Sequence, residues 1–503
     1  MLELNAKIIK IKTGEKSVIL NETDAGEMML HIHDRVSLKK DLQKIIAIVD
    51  VSDSMVERGE IGIYEDFLPF FAVSDGDAIE LSVATPPPSV AFIRKKMKGG
   101  TLNKEELYRI VKDTVTHSLS ELEVAAFLMA EQYVGMNMDE VEHLTRAIVE
   151  TGRTIDFGET VVDKHSIGGV PGNKVTLLIV PIVAAAGLKI PKTSSRAITS
   201  PSGTADTMEV LAPVTFSLDA LRKLLMDVGG YIAWGGSLNL APADDLFIRI
   251  EHPLSIDPKA QMLASIMAKK LSVGVSTLVL DIPTGKGAKV EDFDTARALG
   301  NDFIELGRRL GIKVSCGITY GNQPVGHTVG PALEAREALL ALTGKGPNSL
   351  IEKSTSLAGM LLEMNGVTPK GQGQAFAKDL LRSGKAYQKM QEIIEKQGGD
   401  PDVKPDDVPL GKLRYVVPAP IDGYVSSINN SAINAVAKAA GAPLCKGAGI
   451  MLHAKIGYAV KKGDPVLEIF AENEQSLKNA QMIALQRGAF VIEGMLLEEL
   501  PGF

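Results

Sequence analysis

The stretch from about residue 160 to residue 405 constrains the fold most. Apolar runs with glycine-rich ends alternate there with helical patterns, as in VTLLIVPIVAAAG (175–187), STLVLDIPTGKG (276–287) and FIELGRRLGIKVSCGITYG (303–321). We interpret the first two runs as beginning with buried strands, each followed by a turn. This rhythm predicts right-handed β-α-β units around a buried, mostly parallel sheet.

The segments on either side have different patterns. The N-terminal residues alternate as strands do, TPPPS (85–89) breaks regular structure, and the next stretch has helical spacing with capping signals at Thr101 and Ser120. We therefore predict an α/β multidomain chain of four parts. They are a small β-rich N-terminal domain (1–84), a helical domain (90–158, completed by about 242–273), a mixed or parallel-sheet α/β domain (159–241 and 274–405) and a small α+β C-terminal domain (413–503).

Composition excludes several classes of protein. The 503 residues carry a net charge of −8 without a basic, aromatic-rich patch, which argues against a nucleic-acid partner. Only two cysteines are present, so neither a disulfide framework nor a Cys-x-x-Cys zinc site is possible. No signal peptide is recognisable, and the longest apolar run contains Pro181 and is too short to cross a bilayer. We expect a cytoplasmic protein with no membrane partner.

DKHSIGGVPGNK (163–174) is the first candidate site. A glycine-rich loop lets backbone N–H groups converge on an anion, while Lys164 and Ser166 add a charge and a hydroxyl. A tight turn with a solvated lysine is an equally good interpretation of this stretch alone.

KTSSRAITSPSGTADTMEVL (192–211) is the second candidate. Its serines and threonines crowd around Arg196 just before a predicted helix, and such a density of donors suits one or more phosphate groups. The alternative is a hydroxyl-rich surface loop.

Two weaker candidates follow. Ser265 and Lys269 are four residues apart and share one face of a predicted helix, with Asp257 ahead of them. These residues could equally cap and decorate that helix. GKGAK (285–289) follows a predicted strand, at the end where open α/β sheets bind ligands.

Taken together and in order, these motifs resemble the nucleoside phosphorylases of the thymidine phosphorylase type, over about residues 90–500. The resemblance implies a helical domain facing an α/β domain across a cleft. It implies that Lys164, Ser166, Ser194 and Thr204 hold inorganic phosphate, and that Ser265 and Lys269 contact the base.

The departures from that pattern resemble a branch of the family, the archaeal AMP phosphorylases. Ile250–Glu251 stands where thymidine phosphorylases have Arg-Asp, SPSGT replaces HTGGT, and GKGAKV replaces GSGAFM. The resemblance implies phosphorolysis of a nucleoside 5′-monophosphate to a free base and ribose 1,5-bisphosphate. It assigns proton donation to Asp257, a role that would require burial to raise the pKa of this carboxyl group.

A nucleotide brings a second dianion, for which Lys289, Ser200 and Thr199 are the additional donors. We expect no metal and no cofactor, and inorganic phosphate is expected as a co-substrate. We also expect a homodimer or larger homo-oligomer whose N-terminal domain acts in assembly. The expected nucleotide and phosphate contacts are Lys164, Ser166, Gly168, Gly169, Ser194, Ser195, Arg196, Ala197, Ile198, Thr199, Ser200, Thr204, Ser265, Lys269 and Lys289.

Three alternatives remain at this point. One is a pyrimidine nucleoside phosphorylase. Another is an anthranilate phosphoribosyltransferase-like enzyme, which would need carboxylate pairs for Mg²⁺, where Asp281 is a lone candidate. The last is a carrier-type binding module at the C-terminus, suggested by GYAVKKGDPVLEI (457–469).

Overall fold

The chain is organised in two units. In the computed structural model the described residues are 2–13, 16–197 and 200–494, so the predicted site residues Ile198 and Thr199 lie outside them. One unit comprises the chain up to Gly152 together with Ala241–Ala268. The other comprises Arg153–Leu240 and the chain from Lys269 onward.

The first unit begins with a closed six-stranded barrel of order β1-β5-β2-β4-β3-β6. Its elements are β1 (Leu2–Ile9), β2 (Ser17–Asn21), helix α1 (Glu22–Glu27), β3 (Arg35–Lys40), β4 (Gln43–Ser52), β5 (Glu60–Tyr64) and β6 (Ala78–Val83). The barrel closes because β6 pairs with both β1 and β3, which leaves no strand edge unpaired.

Four helices follow: α2 (Ser89–Met97), α3 (Lys104–Val115), α4 (Glu121–Val134) and α5 (Met138–Glu150). The predicted start at Ser120 is confirmed, since Ser120 and Glu123 form a capping box. The predicted start at Thr101 is wrong by two residues. Asn103 caps α3 instead. Its side-chain oxygen accepts a hydrogen bond from the Glu106 N–H, and the Glu106 carboxylate accepts one from the Asn103 N–H.

Direct contacts join the barrel to these helices. The Arg35 guanidinium pairs with the Glu123 carboxylate, and its Nε donates to the Ser118 carbonyl at 3.3 Å. Lys16 Nζ donates to the Thr116 carbonyl at 3.3 Å and lies 4.0 Å from the centre of the Phe70 ring. The barrel is therefore packed on the bundle rather than tethered through the prolines alone.

The second unit opens with β7 (Val161–Ser166), α6 (Thr176–Ala185), β8 (Ile190–Ser194), α7 (Thr204–Met208), α8 (Leu218–Val228) and β9 (Gly230–Trp234). The strand predicted at 175–187 is wrong, because this run forms helix α6 with Pro181 inside it. Residues 176–184 are all buried. A helix that is apolar all round has no amphipathic period, so its sequence cannot be distinguished from a buried strand.

Two helices then connect the units: α9 (Pro242–Leu254) belongs to the first, and α10 (Lys259–Leu271) begins in the first and ends in the second. The second unit continues with β10 (Val275–Thr284), α11 (Phe293–Leu310), β11 (Lys313–Tyr320), β12 (Thr328–Val329), α12 (Pro331–Leu342), α13 (Asn348–Met364), α14 (Gly373–Arg382) and α15 (Lys385–Lys396).

The predicted parallel sheet is confirmed. Strands β11, β10 and β7 form a parallel sheet in that order, and β8 and β9 form a parallel pair. A bridge between Val161 and Lys189 links β7 to the residue just before β8.

The C-terminal part is a small α+β domain that takes β12 into its sheet. Its elements are β13 (Leu413–Pro418), β14 (Gly423–Ile428), α16 (Asn430–Ala439), β15 (Gly449–Leu452), β16 (Ala459–Val460), β17 (Pro465–Ala471), α17 (Glu474–Arg487) and β18 (Phe490–Glu493). The sheets have the orders β12-β15-β17-β13 and β16-β14-β18. Buried Lys455 ties the domain to the loop before β12, with Nζ donating to the Gly326 carbonyl at 2.8 Å. No helix in the described ranges is long and apolar enough to span a membrane.

Helix α4 buries a carboxylate that lacks a hydrogen bond. Glu131 is 2% exposed, and neither of its carboxylate oxygens has a hydrogen-bond partner among the described residues. The nearby Lys96 ammonium is committed to Glu140 at 2.8 Å. Burial, reinforced by the charge of Glu251, raises the pKa of Glu131 well above its ordinary value.

This carboxyl group predicts a specific pH dependence of stability. The folded state retains a proton that the unfolded chain releases above about pH 4–5. The free energy of unfolding therefore falls as pH rises from about 4–5 towards neutral pH. Glu131→Gln should remove this loss and stabilise the protein at neutral pH by roughly 1–3 kcal/mol, with no gain near pH 4. Denaturant unfolding between pH 4 and pH 8 measures the difference. Glu150→Gln, at an exposed carboxylate of α5, is the control, and an equal response of both variants would contradict the prediction.

Candidate active site

Strands β7, β10 and β11 bring the first candidate motif to one edge of the parallel sheet. All three strands run in the same direction, with Asp281 of β10 opposite Ser166 of β7 and Gly317 of β11. The carboxyl ends of parallel strands form the edge where open α/β sheets bind ligands. The Lys164–Ser166 segment therefore ends at this edge.

Asp281 organises this edge. Its carboxylate is fully buried and accepts hydrogen bonds from Ser166 Oγ at 2.8 Å, Asn173 Nδ2 at 3.1 Å and Thr319 Oγ1 at 2.6 Å. Lys353 Nζ lies 3.0 Å away. Asp281 is thus surrounded by donors and an ammonium group, an arrangement unlike the paired carboxylates expected of a magnesium site.

The Ser166 hydroxyl is engaged in this network. It donates to Asp281 while its oxygen accepts from Asn173 Nδ2 at 2.9 Å. A contact from Ser166 to phosphate would require exchange of the bond to Asp281. The sequence did not single out Asn173, Thr319 or Lys353, which come from a loop, a neighbouring strand and helix α13.

A second buried carboxylate, that of Asp163, lies close to lysines from two other elements. Lys270 Nζ of α10 lies 2.6 Å from Asp163 Oδ2, and Lys192 Nζ of β8 lies 3.8 Å from Oδ1. All three side chains are buried. Burial lowers the pKa of Lys192 to about 7 and that of Lys164 to about 8. Lys192 and Lys270 were not predicted as site residues. The available signals were a lysine inside a buried strand and a Lys-Lys pair at the end of α10.

This edge therefore has an excess of positive charge. Two neighbouring groups of buried charges lie there, Lys192 and Lys270 around Asp163 and Lys353 beside Asp281. The charge of Lys164 interacts with both aspartates. When all are ionised, the four lysines outnumber the two aspartates by two charges. Buried cations are costly without compensation, so a bound dianion would balance the cluster.

Glycine geometry brings a second loop against this edge. Gly168 and Gly169 have φ of +88° and +90°. A Cβ on Gly169 would lie 2.4 Å from the backbone nitrogen of Lys289. The DKHSIGG and GKGAK loops therefore pack backbone to backbone, and the Lys289 side chain is exposed.

The hydroxyl-rich stretch forms the loop between β8 and α7. Ser194 ends β8, Ser195 is exposed, Ser200 Oγ donates to the Ser202 carbonyl at 3.1 Å, and Thr204 is the first residue of α7.

Arg196, which was expected to contact the ligand, has another partner. Its guanidinium forms a two-pronged ion pair with Glu209, at 2.6 and 2.5 Å. The charge of this arginine is thus already engaged by a carboxylate.

The residues expected on the base side lie around α10. Asp257 is in the turn between α9 and α10, and Ser265 and Lys269 are one helical turn apart on α10. The burial expected for Asp257 is wrong, since its side chain is exposed. The turn that positions it lies at a helix boundary, where side chains are commonly solvated. Across the described ranges, no three His, Cys, Asp or Glu residues are placed to hold a metal ion.

Family models match three parts of the chain. They are "Glycosyl transferase family, helical bundle domain" over residues 90–152, "Glycosyl transferase family, a/b domain" over residues 158–387, and "Pyrimidine nucleoside phosphorylase C-terminal domain" over residues 424–487. The helical and α/β predictions are thereby confirmed. The last match does not favour a carrier-type module at the C-terminus.

One solved structure shares much of the architecture. Anthranilate phosphoribosyltransferase from Thermus thermophilus is 21% identical with a TM-score of 0.50, covering 61% of this chain and 98% of that one. At this identity the similarity concerns the fold alone.

Curated relatives match nearly the whole chain. The AMP phosphorylase of Pyrococcus furiosus is 51% identical over 494 residues, covering 98% of both chains. Those of Thermococcus kodakarensis and Methanococcoides burtonii are 52% and 49% identical, with at least 99% of each chain covered. Because this identity extends through the barrel, the bundle, the α/β domain and the C-terminal domain, the chain belongs to the AMP phosphorylase family.

Proposed function

We propose that this chain is an AMP phosphorylase, a pentosyltransferase of the nucleoside phosphorylase type. It cleaves AMP, and other nucleoside 5′-monophosphates such as CMP and UMP, with inorganic phosphate. The products are the free base and ribose 1,5-bisphosphate. The observation that carries the proposal is the lysine excess around Asp163 and Asp281, in a chain about half identical to AMP phosphorylases over its full length.

The lysine cluster would act on the nucleophile. Phosphate held by Lys164 and its neighbours attacks C1′ of the ribose as the bond to the base breaks, through an oxocarbenium-like state. Fixed positive charge holds the attacking dianion in line and requires little reorganisation during the reaction. Bound phosphate would also favour the protonated forms of Lys192 and Lys164, whose pKa values burial lowers to about 7 and about 8.

A second group of donors would bind the 5′-phosphate. We assign this role to Lys289 with the Gly168–Gly169 backbone and the residues predicted in the hydroxyl-rich loop, including Ser200 and Thr204. The close packing of Gly169 on the Lys289 backbone supports the assignment, because it brings the loop that carries an exposed lysine against the glycine backbone.

The leaving base needs a proton if it is a purine. We assign its donation to Asp257, with Ser265 and Lys269 contacting the base. Because Asp257 is exposed without a ligand, this role requires the bound nucleotide to exclude solvent from its carboxyl group. Position in the sequence and family membership support these roles. Independence from metals and cofactors, a homodimeric or larger assembly, and a cytoplasmic location stay predictions.

A direct assay tests the function. The full chain is incubated with AMP and phosphate, and adenine and a bisphosphorylated ribose are identified by mass spectrometry. Uridine and thymidine are assayed in parallel. Faster turnover of these nucleosides than of AMP would favour a pyrimidine nucleoside phosphorylase, the alternative that the relatives do not favour.

Lys289→Ala tests the 5′-phosphate assignment. A charge-assisted contact contributes roughly 1.5–3 kcal/mol, so kcat/KM for AMP should fall about 10- to 100-fold. The kcat/KM for adenosine should change less than about threefold, since adenosine lacks this phosphate. Lys286→Ala, in the same exposed loop, is the matched control. Equal losses on AMP and adenosine would refute the assignment.

Asp257→Asn tests proton donation. The amide keeps the shape of the side chain but cannot release a proton at neutral pH, so kcat for AMP should fall by roughly 10²-fold or more. The dissociation constant for AMP, measured by calorimetry, should change little. Asp379→Asn alters an exposed carboxylate on α14 and serves as the control. Near-normal turnover by Asp257→Asn would exclude this aspartate as the acid.

A further inference from the structure

The loop between β8 and α7 has two described arms, Ser194–Ala197 and Ser200–Thr204, which we call the donor arms. The buried Asp206 carboxylate holds them together. Its Oδ2 accepts the Ala197 N–H at 2.7 Å and the Gly203 N–H at 3.0 Å. A Cβ on Gly203 would lie 2.8 Å from the Ala197 nitrogen, so the arms are in direct backbone contact.

Arg196 fixes one donor arm from its side chain. Besides its two bonds to Glu209, its Nη1 donates to Asp206 Oδ1 at 3.3 Å. Its guanidinium also lies 4.9 Å from the centre of the Trp234 ring. The Arg196 side chain therefore anchors this arm to Asp206, Glu209 and Trp234.

Arg196 alone cannot neutralise both Asp206 and Glu209. The second positive charge comes from Lys446, whose Nζ lies 2.8 Å from Glu209 Oε2 and 3.5 Å from Asp206 Oδ1. The backbone around Lys446 is itself held, because its carbonyl accepts the Ala332 N–H at 3.0 Å.

Lys446 belongs to the C-terminal domain, in the segment between α16 and β15, a part of the chain that the proposed chemistry does not use. We propose that Lys446 is a positioning residue for the donor arms, acting through Glu209 and Asp206. The C-terminal domain thereby contributes to nucleotide binding without touching the nucleotide. This inference rests on the proposed function only in taking the donor arms as part of the nucleotide site.

The expected effect is on affinity rather than on folding. Lys446 is 38% exposed and Glu209 30%, so solvent screens their pair and its contribution to global stability is small. Without Lys446, however, two close carboxylates share one arginine. The repulsion acts on Asp206, which holds the Ala197 and Gly203 amides.

Lys446→Met is the test, and Lys438→Met is the matched control, at an exposed lysine of α16 in the same domain. Hydrogen exchange of the backbone amides is measured without substrate, in a peptide covering residues 195–205. Lys446→Met should speed this exchange by about three- to tenfold and raise KM for AMP by a similar factor, with kcat within about twofold of wild type. Lys446→Arg should restore both values, because it retains the charge.

A double variant separates positioning from general damage. Glu209→Gln removes the carboxylate that pairs most closely with Lys446. Lys446→Met should therefore raise KM less in the Glu209→Gln background than in wild type. Additive effects, or unchanged exchange and KM in Lys446→Met, would overturn the inference.

The exchange measurement distinguishes this inference from the proposed function. Faster exchange in Lys446→Met, in a protein that does not cleave AMP, would support the positioning role and refute the nucleotide activity. Unchanged exchange in a variant that cleaves AMP normally would refute the positioning role and support the nucleotide activity.

Discussion

The imbalance between lysine and aspartate at the carboxyl edge of the parallel sheet is the constraint on which the rest of the second unit depends. Asp163 and Asp281 are fully buried and compensate only part of the charge of four lysines. Burial lowers the pKa of each of Lys164, Lys192 and Lys353, so these buried lysines hold their protons less tightly than exposed lysines do. An anion bound at this edge would balance the charge that the two aspartates leave uncompensated.

The two aspartates differ in how they are held. Burial by itself raises the pKa of Asp281, but Lys353 and Lys164, with hydrogen bonds from Thr319 and Asn173, outweigh it and lower that pKa. Asp163 instead receives the ammonium of Lys270 from helix α10. Because α10 begins in the first unit and ends in the second, this ion pair holds the last turn of the helix where the chain returns to the α/β fold.

Much of the organisation was predictable because it depends on local pattern. The capping box at Ser120 and the glycine turn after Ser166 follow from residues close together in sequence. The alternation of strands and helices predicted a parallel sheet, but not its strand order, which places Asp281 beside Ser166, 115 residues away. The segment 175–187 was not predictable in this way. As helix α6 it is buried on every side, so its sequence lacks the period that distinguishes a helix from a strand.

The sequence by itself determined the motifs, their order along the chain and the resemblance that led to the family. The tertiary structure alone decided which charges meet. Lys192 and Lys270 lie far from their partner Asp163 along the chain, and Lys353 lies far from its partner Asp281. Lys446 reaches Glu209 from another domain. Arg196 likewise pairs with Glu209, although its place among serines and threonines suggested a ligand contact. Electrostatic energy depends on distance and burial in space, and neither quantity can be read from the separation of residues along the chain.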